Sequence, residues 1–204
     1  EKVNEFTFEG ERYTPKSFLE MTQLKLDDYF SLTSFTNEPY YSNFILDIPD
    51  NFSNGSFYNL PLNEFVNNID HALEKGYTIA MDADVSENTF SSEYGIAVIP
   101  ENLKDEKSIL IEIKPEKKIT QNLRQQEFEN FNTKDDHLMH IVGKVKDQKG
   151  NIYYKVKNSW GNNPNYIGHE GYIYMSESYL KLKVISVLFH KNALLENTKN
   201  ALKL

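Results

Sequence analysis

The chain of 204 residues carries 22 Lys and Arg against 30 Asp and Glu, has a formal net charge of −8 and contains no cysteine. Its length suffices to bury one sizeable core, and its scattered basic residues form no stripe of the kind that binds nucleic acid. No apolar run approaches the roughly 18 residues of a membrane helix, and disulfides are excluded because Cys is absent.

The first sixty residues contain one clear helix signal. Thr14 is a favourable N-cap, Pro15 suits the first helical position, and the residues from Phe18 onward give the helix an apolar side. A second short helical stretch is predicted over residues 26–30. Residues 31–59 are rich in Tyr, Phe, Asn and Pro without a sustained period, so irregular chain with short strands is expected there.

The strongest helix pattern runs from Pro61 to just before Gly76, with apolar side chains at spacings of three and four. A further helix is predicted over residues 121–131, capped by Thr120. Three segments rich in β-branched and aromatic residues predict strands: residues 77–83, 94–99 and 109–113. No repeat, low-complexity segment or linker interrupts residues 1–204, which we treat as a single unit without an internal boundary.

The chain beyond residue 136 is predicted to be mostly β and to begin with a hairpin. Residues 137–146 and 152–157 carry the apolar and β-branched patterns of two strands, and the turn sequence Asp147-Gln148-Lys149-Gly150 separates them. If Gln148 and Lys149 are the central turn residues, His137 faces Trp160 and Met139 faces Asn158.

This register predicts that His137 and Asn158 lie close together. Residues 137 and 139 share one face of the strand, so His137 is a diagonal neighbour of Asn158, about 7–8 Å away at the backbone. His140 points to the opposite face and is the weaker candidate. A one-residue bulge at Gly150 would change the pairing.

An imidazole beside a carboxamide has a definite chemical use. The amide oxygen accepts the ring N–H and so fixes the tautomer and orientation of an imidazole that holds a thiolate or takes up a proton. Asn158 does this without adding a charge, and the indole of Trp160 is expected to keep water away from that hydrogen bond. Asp136 is a near neighbour that could adjust the titration of the His137 imidazole.

The same residues carry a resemblance to a known family. The chain resembles the papain-like cysteine peptidases, and within them the C-terminal half of the bleomycin hydrolase and aminopeptidase C group. The matching motifs are Asp136-His137, Ile141-Val142-Gly143, Asn158-Ser159-Trp160-Gly161 and the closing segment 168–175, which includes Gly171-Tyr172-Ile173. Weaker similarities precede them, at Thr14-Pro15-Lys16-Ser17-Phe18, at Tyr58-Asn59-Leu60-Pro61-Leu62 and from Gly76-Tyr77 through Asp84-Val85-Ser86.

The resemblance implies an α+β papain-like fold, mainly the β-rich right-hand lobe with added helices. It implies that His137 is the catalytic histidine, that Asn158 orients it, and that Trp160 and Asp136 support the pair. The implied activity is that of a cysteine aminopeptidase, which removes N-terminal residues from peptides. The resemblance also suggests a homo-hexamer, and we expect no cofactor and no metal.

The departure from the family concerns the nucleophile. Papain-type enzymes place the catalytic Cys roughly 130–150 residues before the histidine, at or before residue 7 in this numbering, and the chain has no Cys at all. We therefore expect the Cys on an N-terminal lobe upstream of Glu1, which makes the chain a C-terminal catalytic-lobe fragment. The chain alone is predicted to be inactive.

Two alternatives stay open at this point. Carboxylates and imidazoles at short spacing bind zinc, so Asp135, Asp136, His137 and His140 form a rival metal site, although on a strand the two histidines point apart. The other alternative is a non-catalytic peptide-binding or structural module derived from the same fold, which the absence of Cys would fit. We expect a peptide ligand, no nucleic-acid or membrane partner, and a cytoplasmic location, with export to the periplasm or beyond left open.

Overall fold

The computed structural model describes residues 3–161 and 169–204, apart from the side chain of Asp50. Its helices are α1 (Pro15–Thr22), α2 (Leu62–Glu74), α3 (Gln121–Glu129), α4 (Glu177–Lys183) and α5 (Glu196–Leu202). Its strands are β1 (Phe6–Phe8), β2 (Glu11–Tyr13), β3 (Tyr29–Thr33), β4 (Asn43–Ile45), β5 (Ser56–Asn59), β6 (Ile79–Ala83), β7 (Phe90–Ser91), β8 (Ile96–Ala97), β9 (His137–Lys146), β10 (Ile152–Lys157), β11 (Tyr172–Ser176) and β12 (Val184–His190).

Ten of these strands form one mixed sheet in the described part of the chain. Its order is β4-β5-β3-β12-β6-β9-β10-β11-β8-β7, and its pairs are antiparallel except β3 with β5 and β8 with β11. The β9–β10 hairpin lies in the middle of the sheet, between β6 and β11. Strands β1 and β2 form a separate hairpin next to α1. The combination of a mixed sheet with segregated helices confirms the predicted α+β class.

Helix α2 shows why the apolar pattern in this part of the sequence predicts helix. The side chains of its stripe are buried in the main core together with residues of β6, β9, β10 and α4; they are Leu62, Phe65, Val66, Ile69 and Ala72. Each of the four larger side chains, Leu62, Phe65, Val66 and Ile69, stabilises the fold by about 1.5–3 kcal/mol relative to an exposed one. The helix packs on the centre of the sheet and thereby supports one face of the hairpin.

Two other helix predictions are confirmed at their N-termini. Thr14 caps α1, with its side-chain oxygen accepting the Ser17 N–H at 3.1 Å and Pro15 in the first turn. Thr120 caps α3 through the Leu123 N–H at 3.2 Å. The caps satisfy donors that have no partner inside the helix, which is why they are visible in the sequence.

Some local predictions are wrong where tertiary pairing or a local turn prevails. The helix expected over residues 26–30 is a single 3-10 turn, Leu26–Asp28, because Tyr29 and its successors pair with β12 instead. The strand expected over residues 109–113 is not formed: a 3-10 turn spans Ser108–Leu110, and Ser108 O accepts the N–H groups of residues 111 and 112. Beyond residue 136 the chain is β-rich as predicted, but it also contains α4 and α5.

A span across a membrane is not found in the described residues, since none of their helices is both long enough and apolar enough.

Candidate active site

The turn of the hairpin sets the register that carries His137. Asp147 and Asn151 close the turn with a backbone hydrogen bond of 3.0 Å, and Gly150 adopts a φ of +88°. Strand pairing next to the turn, such as Ile152 with Lys146, is one residue away from the prediction. The cause is the one-residue bulge anticipated at Gly150, which adds a residue to one side of the turn.

A second irregularity restores the predicted register at the other end of the hairpin. The pairing shifts between Lys155 and Val156, so that Val156 pairs with Ile141 and Lys157 with His140, as expected from the sequence. On its other side, β9 pairs with β6, and His137 is opposite Ala83. His137 is therefore held by a central strand, while Asn158 directly follows the end of β10.

The predicted proximity of His137 and Asn158 is confirmed. His137 Nε2 lies 2.8 Å from Asn158 Oδ1. The same oxygen accepts the backbone N–H of Ser159 at 2.7 Å. An amide N–H is only a donor, so the atom it meets is the carboxamide oxygen, and His137 Nε2 must be the protonated nitrogen. This tautomer leaves Nδ1 as the nitrogen for chemistry.

Burial differs sharply between Asn158 and the neighbouring indole of Trp160. Asn158 is only 5% exposed, whereas Trp160 is 47% exposed. The indole lies over the imidazole, with ring centroids 4.9 Å apart, and it also contacts the ring of Phe90 at 6.1 Å. The structure thus places Trp160 at the surface beside His137, and its expected shielding of the His137–Asn158 hydrogen bond from water stays a prediction.

Two glycines let the chain turn next to this indole. Gly161 has a φ of +83° and Gly171 a φ of +81°, a region that residues with a Cβ rarely adopt. A Cβ on Gly171 would also lie 2.3 Å from the carbonyl oxygen of Gly161. Gly171 O in turn accepts the Asn158 N–H at 3.1 Å, so this close approach anchors Asn158. Gly168 of the predicted closing segment lies outside the described residues.

Asp136 contacts another carboxylate. Its side chain is hydrogen-bonded to Asp84 and to the backbone of Val85. Burial, followed by the nearby negative charge of Asp84, raises the pKa of Asp136 above its usual range. Its expected effect on the titration of His137 stays a prediction.

His140 faces away from the pair, as strand alternation predicted. Its Nε2 lies 2.7 Å from the hydroxyl of Thr78, at the opposite end of β6 from Ala83. The two histidines of the rival metal site thus have different partners on different faces. No group of three or more His, Cys, Asp or Glu side chains is arranged to hold a metal within residues 3–161 and 169–204.

A buried charge cluster, not predicted from the sequence, lies next to the site. Asp84 and Lys183 are both fully buried, with 3.3 Å between Lys183 Nζ and Asp84 Oδ2, and Glu87 approaches the same ammonium at 2.5 Å. Burial alone would raise the pKa of Asp84, but hydrogen bonds from Ser86 and Lys134 and the charge of Lys183 lower it. A sequence signal existed in Lys183, a cation at the start of the apolar run that becomes β12.

An aromatic row links this cluster to the indole. The buried Tyr179 donates its hydroxyl to the Asp84 carbonyl at 2.9 Å, and its ring lies 6.0 Å from that of Phe90. Phe90 contacts Trp160, which lies on His137. The imidazole is thus bordered by an apolar wall on the indole side and by charged groups on the Asp136 side.

Comparisons with known proteins relate this geometry to a family. A family model described as the Peptidase C1-like family matches residues 2–204. A comparison with curated proteins found no match.

Among solved structures, PepW from Lactobacillus rhamnosis HN001 is 20% identical with a TM-score of 0.70, covering 98% of this chain and 45% of that chain. Bromelain from Ananas comosus in complex with E64 is 22% identical with a TM-score of 0.36, covering 62% of this chain and 45% of that one. The Amb a 11 cysteine protease of ragweed pollen, in its proform, is 18% identical with a TM-score of 0.35, covering 62% and 30%. The likeness to PepW is one of fold, and this chain spans less than half of the length of PepW.

Proposed function

Because the chain belongs to the Peptidase C1-like family, we propose that it provides the histidine and asparagine of a cysteine aminopeptidase whose nucleophilic Cys lies upstream of residue 1. The relation to the papain-like cysteine peptidases, predicted from the sequence, is confirmed by the family match and by the fold. Beyond the family relation, we propose three things: the catalytic roles of His137 and Asn158, the action on peptide N-termini, and the location of the Cys.

One observation supports the site assignment above all others. The oxygen shared by Ser159 N–H and His137 Nε2 fixes the imidazole as the Nε2–H tautomer, with Nδ1 available to a reaction partner. A thiol nucleophile needs a base that is oriented by a third group, and His137 and Asn158 supply the base and the orienting group. What the pair lacks for peptidase chemistry is a thiol.

The proposed reaction follows from these roles. A Cys thiolate paired with protonated Nδ1 attacks the carbonyl carbon of the first peptide bond, and Nδ1 gives its proton to the departing amine as the C–N bond breaks. A thioester remains. Water then attacks the thioester while Nδ1 takes its proton, which releases the carboxylic acid and returns the thiolate. Throughout, Asn158 holds Nε2–H and adds no charge.

The test compares two proteins on two substrates. An aminoacyl fluorogenic amide and its N-acetylated counterpart are given to the 204-residue chain and to the product of the complete reading frame. We expect turnover of the free amine alone, by the longer product alone, blocked by a thiol-directed inhibitor. Turnover of the acetylated substrate would point to an endopeptidase instead. Inhibitor-resistant turnover by the 204-residue chain would refute a cysteine mechanism.

A second candidate function is a peptide-binding module without catalysis. The absence of Cys from all 204 residues favours it. The residue encoded upstream separates the two: a Cys followed by Trp or Tyr supports the enzyme, and Gly, Ala or a missing segment supports the module. In the module, a labelled peptide should bind the chain without being cleaved.

A further inference from the structure

The buried cluster around Lys183 joins three separate segments of the chain. Lys183 ends α4, Asp84 and Glu87 belong to the loop after β6, and Asn132 lies on the segment that leads into β9. Lys183 Nζ donates to the Asn132 carbonyl at 2.5 Å in addition to its contacts with the two carboxylates. A fully buried ammonium is costly to desolvate, so it must be fully partnered where it stands.

Asp84 uses both carboxylate oxygens to order neighbouring backbone. Its Oδ1 accepts the N–H and the hydroxyl of Ser86, each at 2.7 Å, and its Oδ2 accepts the N–H of Lys134 at 2.9 Å. The Asp84 N–H is itself bound to the Lys183 carbonyl at 3.0 Å. The pair therefore holds two points of the segment entering β9, the carbonyl of Asn132 and the N–H of Lys134.

These two points lie immediately before the candidate catalytic histidine. Lys134 precedes His137 by three residues, and the strand partner of His137 is Ala83, the residue before Asp84. Asp136, adjacent to His137, also contacts Asp84 and Val85. The position of the imidazole is thus set from one side by Asn158 and from the other by the loop that Asp84 and Lys183 fix.

A second ion pair, which includes a residue of β9 itself, offers a contrast. Lys144 Nζ lies 2.6 Å from Asp70 Oδ2, and the Tyr154 hydroxyl donates to Asp70 Oδ1 at 2.9 Å. This pair ties β9 to α2, but its side chains are 27% and 23% exposed, and it lies seven residues along β9 from His137. It secures the fold without contacting the segment that leads to the imidazole.

We propose that Asp84 and Lys183 are positioning residues for His137, holding the segment 132–136 so that the imidazole meets Asn158 as the Nε2–H tautomer. His137 is catalytic only if the proposed function holds, but its orientation by this pair is a property of the folded chain. The two statements therefore require separate measurements, and the positioning one needs no turnover.

The experiment follows the His137 ring by NMR in the 204-residue chain. Long-range 1H–15N spectra give the tautomer of each imidazole, and His137→Ala assigns the signal among the five histidines. The variants are Asp84→Asn, Lys183→Met and the double variant, with Asp70→Asn and Lys144→Met as matched controls on the remote pair. The double variant matters because it leaves no unpaired member of the pair buried, a change that folded proteins often tolerate.

We expect the wild-type ring and both controls to show the Nε2–H tautomer with a slowly exchanging proton. In the Asp84 and Lys183 variants, exchange of that proton should accelerate by about tenfold or more, with Nδ1–H appearing as a second tautomer. If a single variant unfolds, the double variant decides. A folded double variant with a wild-type His137 signal would overturn the proposal, as would an equal acceleration in the remote-pair controls.

Failure of this proposal and failure of the proposed function are distinguishable. A disturbed tautomer in a protein whose complete form lacks peptidase activity would uphold positioning and reject catalysis. An undisturbed tautomer in an active peptidase would reject positioning and uphold catalysis.

Discussion

The two ends of strand β9 differ in how they are held, although the same hairpin contains both. Residues 137–141 pair with β6 along their whole length, and the pair of Asp84 and Lys183 next to them is 0% exposed. At the turn end, residues 143–146 pair with β10, and the pair of Lys144 and Asp70 is about one-quarter exposed. A catalytic site needs side chains in fixed positions, and the end of β9 that carries His137 is the more firmly held.

The difference shows what burial adds to an ion pair. Exposed pairs stabilise by about 0–1 kcal/mol, because water already solvates both charges. A buried pair whose remaining donors and acceptors are satisfied becomes rigid, since breaking it would leave a charge without water. Removing one of the charged groups at the His137 end of β9 should therefore lower the free energy of unfolding strongly. Removing one at the turn end should lower it only slightly.

The largest effect is expected for His137. In the complete protein, His137→Ala should reduce kcat on the aminoacyl substrate by on the order of 10⁶-fold, the scale known for a lost catalytic base. His140→Ala, which removes the contact with Thr78 on the other face of the strand, should stay within a few-fold of wild type. Steady-state kinetics of both variants check this. The opposite ranking would reject the assignment of the two histidines.

Substitution of Asn158 should have the next largest effect on kcat. Asn151, at the turn of the same hairpin, serves as the matched control. Asn158→Ala removes the oxygen that fixes the imidazole and should reduce kcat about 10²-fold, as expected for a misplaced catalytic group. Asn151→Ala removes a hydrogen bond to Asp147 at the turn and should leave kcat unchanged. Similar losses in both variants would show that kcat follows hairpin stability rather than orientation.

Unfolding by urea compares the two ion pairs directly. Asp84→Ala leaves Lys183 without its buried partner and should reduce the free energy of unfolding by about 3 kcal/mol. Asp70→Ala removes a partly exposed partner and one bond from Tyr154, which should cost about 1–2 kcal/mol. A lower free energy of unfolding for Asp70→Ala than for Asp84→Ala would contradict the difference between the two ends of β9.

The pH dependence of stability separates Asp84 from Asp136. The pKa of Asp84 is lowered below its ordinary value of 3.8, so the unfolded chain binds its proton more readily. Its contribution is present above that ordinary value and lost as the pH falls through the lowered pKa. The pKa of Asp136 is raised, so its contribution is present at low pH and lost as the pH rises through the raised pKa.

Urea titrations between pH 6 and about pH 2.5 should therefore show a flatter acid limb for Asp84→Asn than for wild type. Asp136→Asn should instead gain stability toward neutral pH, because an ionised carboxylate next to Asp84 is gone. Parallel curves for both variants and wild type would exclude these opposed contributions.

The smallest effect is expected at the turn. Gly150 has a φ of +88°, and nothing lies within 4 Å of a Cβ built there, so Gly150→Ala costs backbone strain alone. We expect a loss of about 1 kcal/mol in the free energy of unfolding and no change in the His137 tautomer. A changed tautomer would mean that the register shift between Lys155 and Val156 fails to isolate the site from the turn.

The sequence determined the local features that depend on near neighbours in the chain. The bounds of the hairpin, the caps at Thr14 and Thr120, the α2 stripe and the side on which His137 lies follow from periodicity and turn chemistry. The family match extends the motif resemblance over residues 2–204. Strand parity sufficed to choose between His137 and His140, because a strand alternates its side chains strictly.

The tertiary structure alone decided what lies around that histidine. It also limited the 3-10 turn at Leu26–Asp28, because Tyr29 pairs with β12, a long-range contact that periodicity does not encode. Asp84 and Lys183 are 99 residues apart, and a charged residue in a sequence is expected at the surface unless its partner is known. The proximity of His137 and Asn158 is thus readable from sequence, but the buried charges next to them are brought together only once the chain is folded.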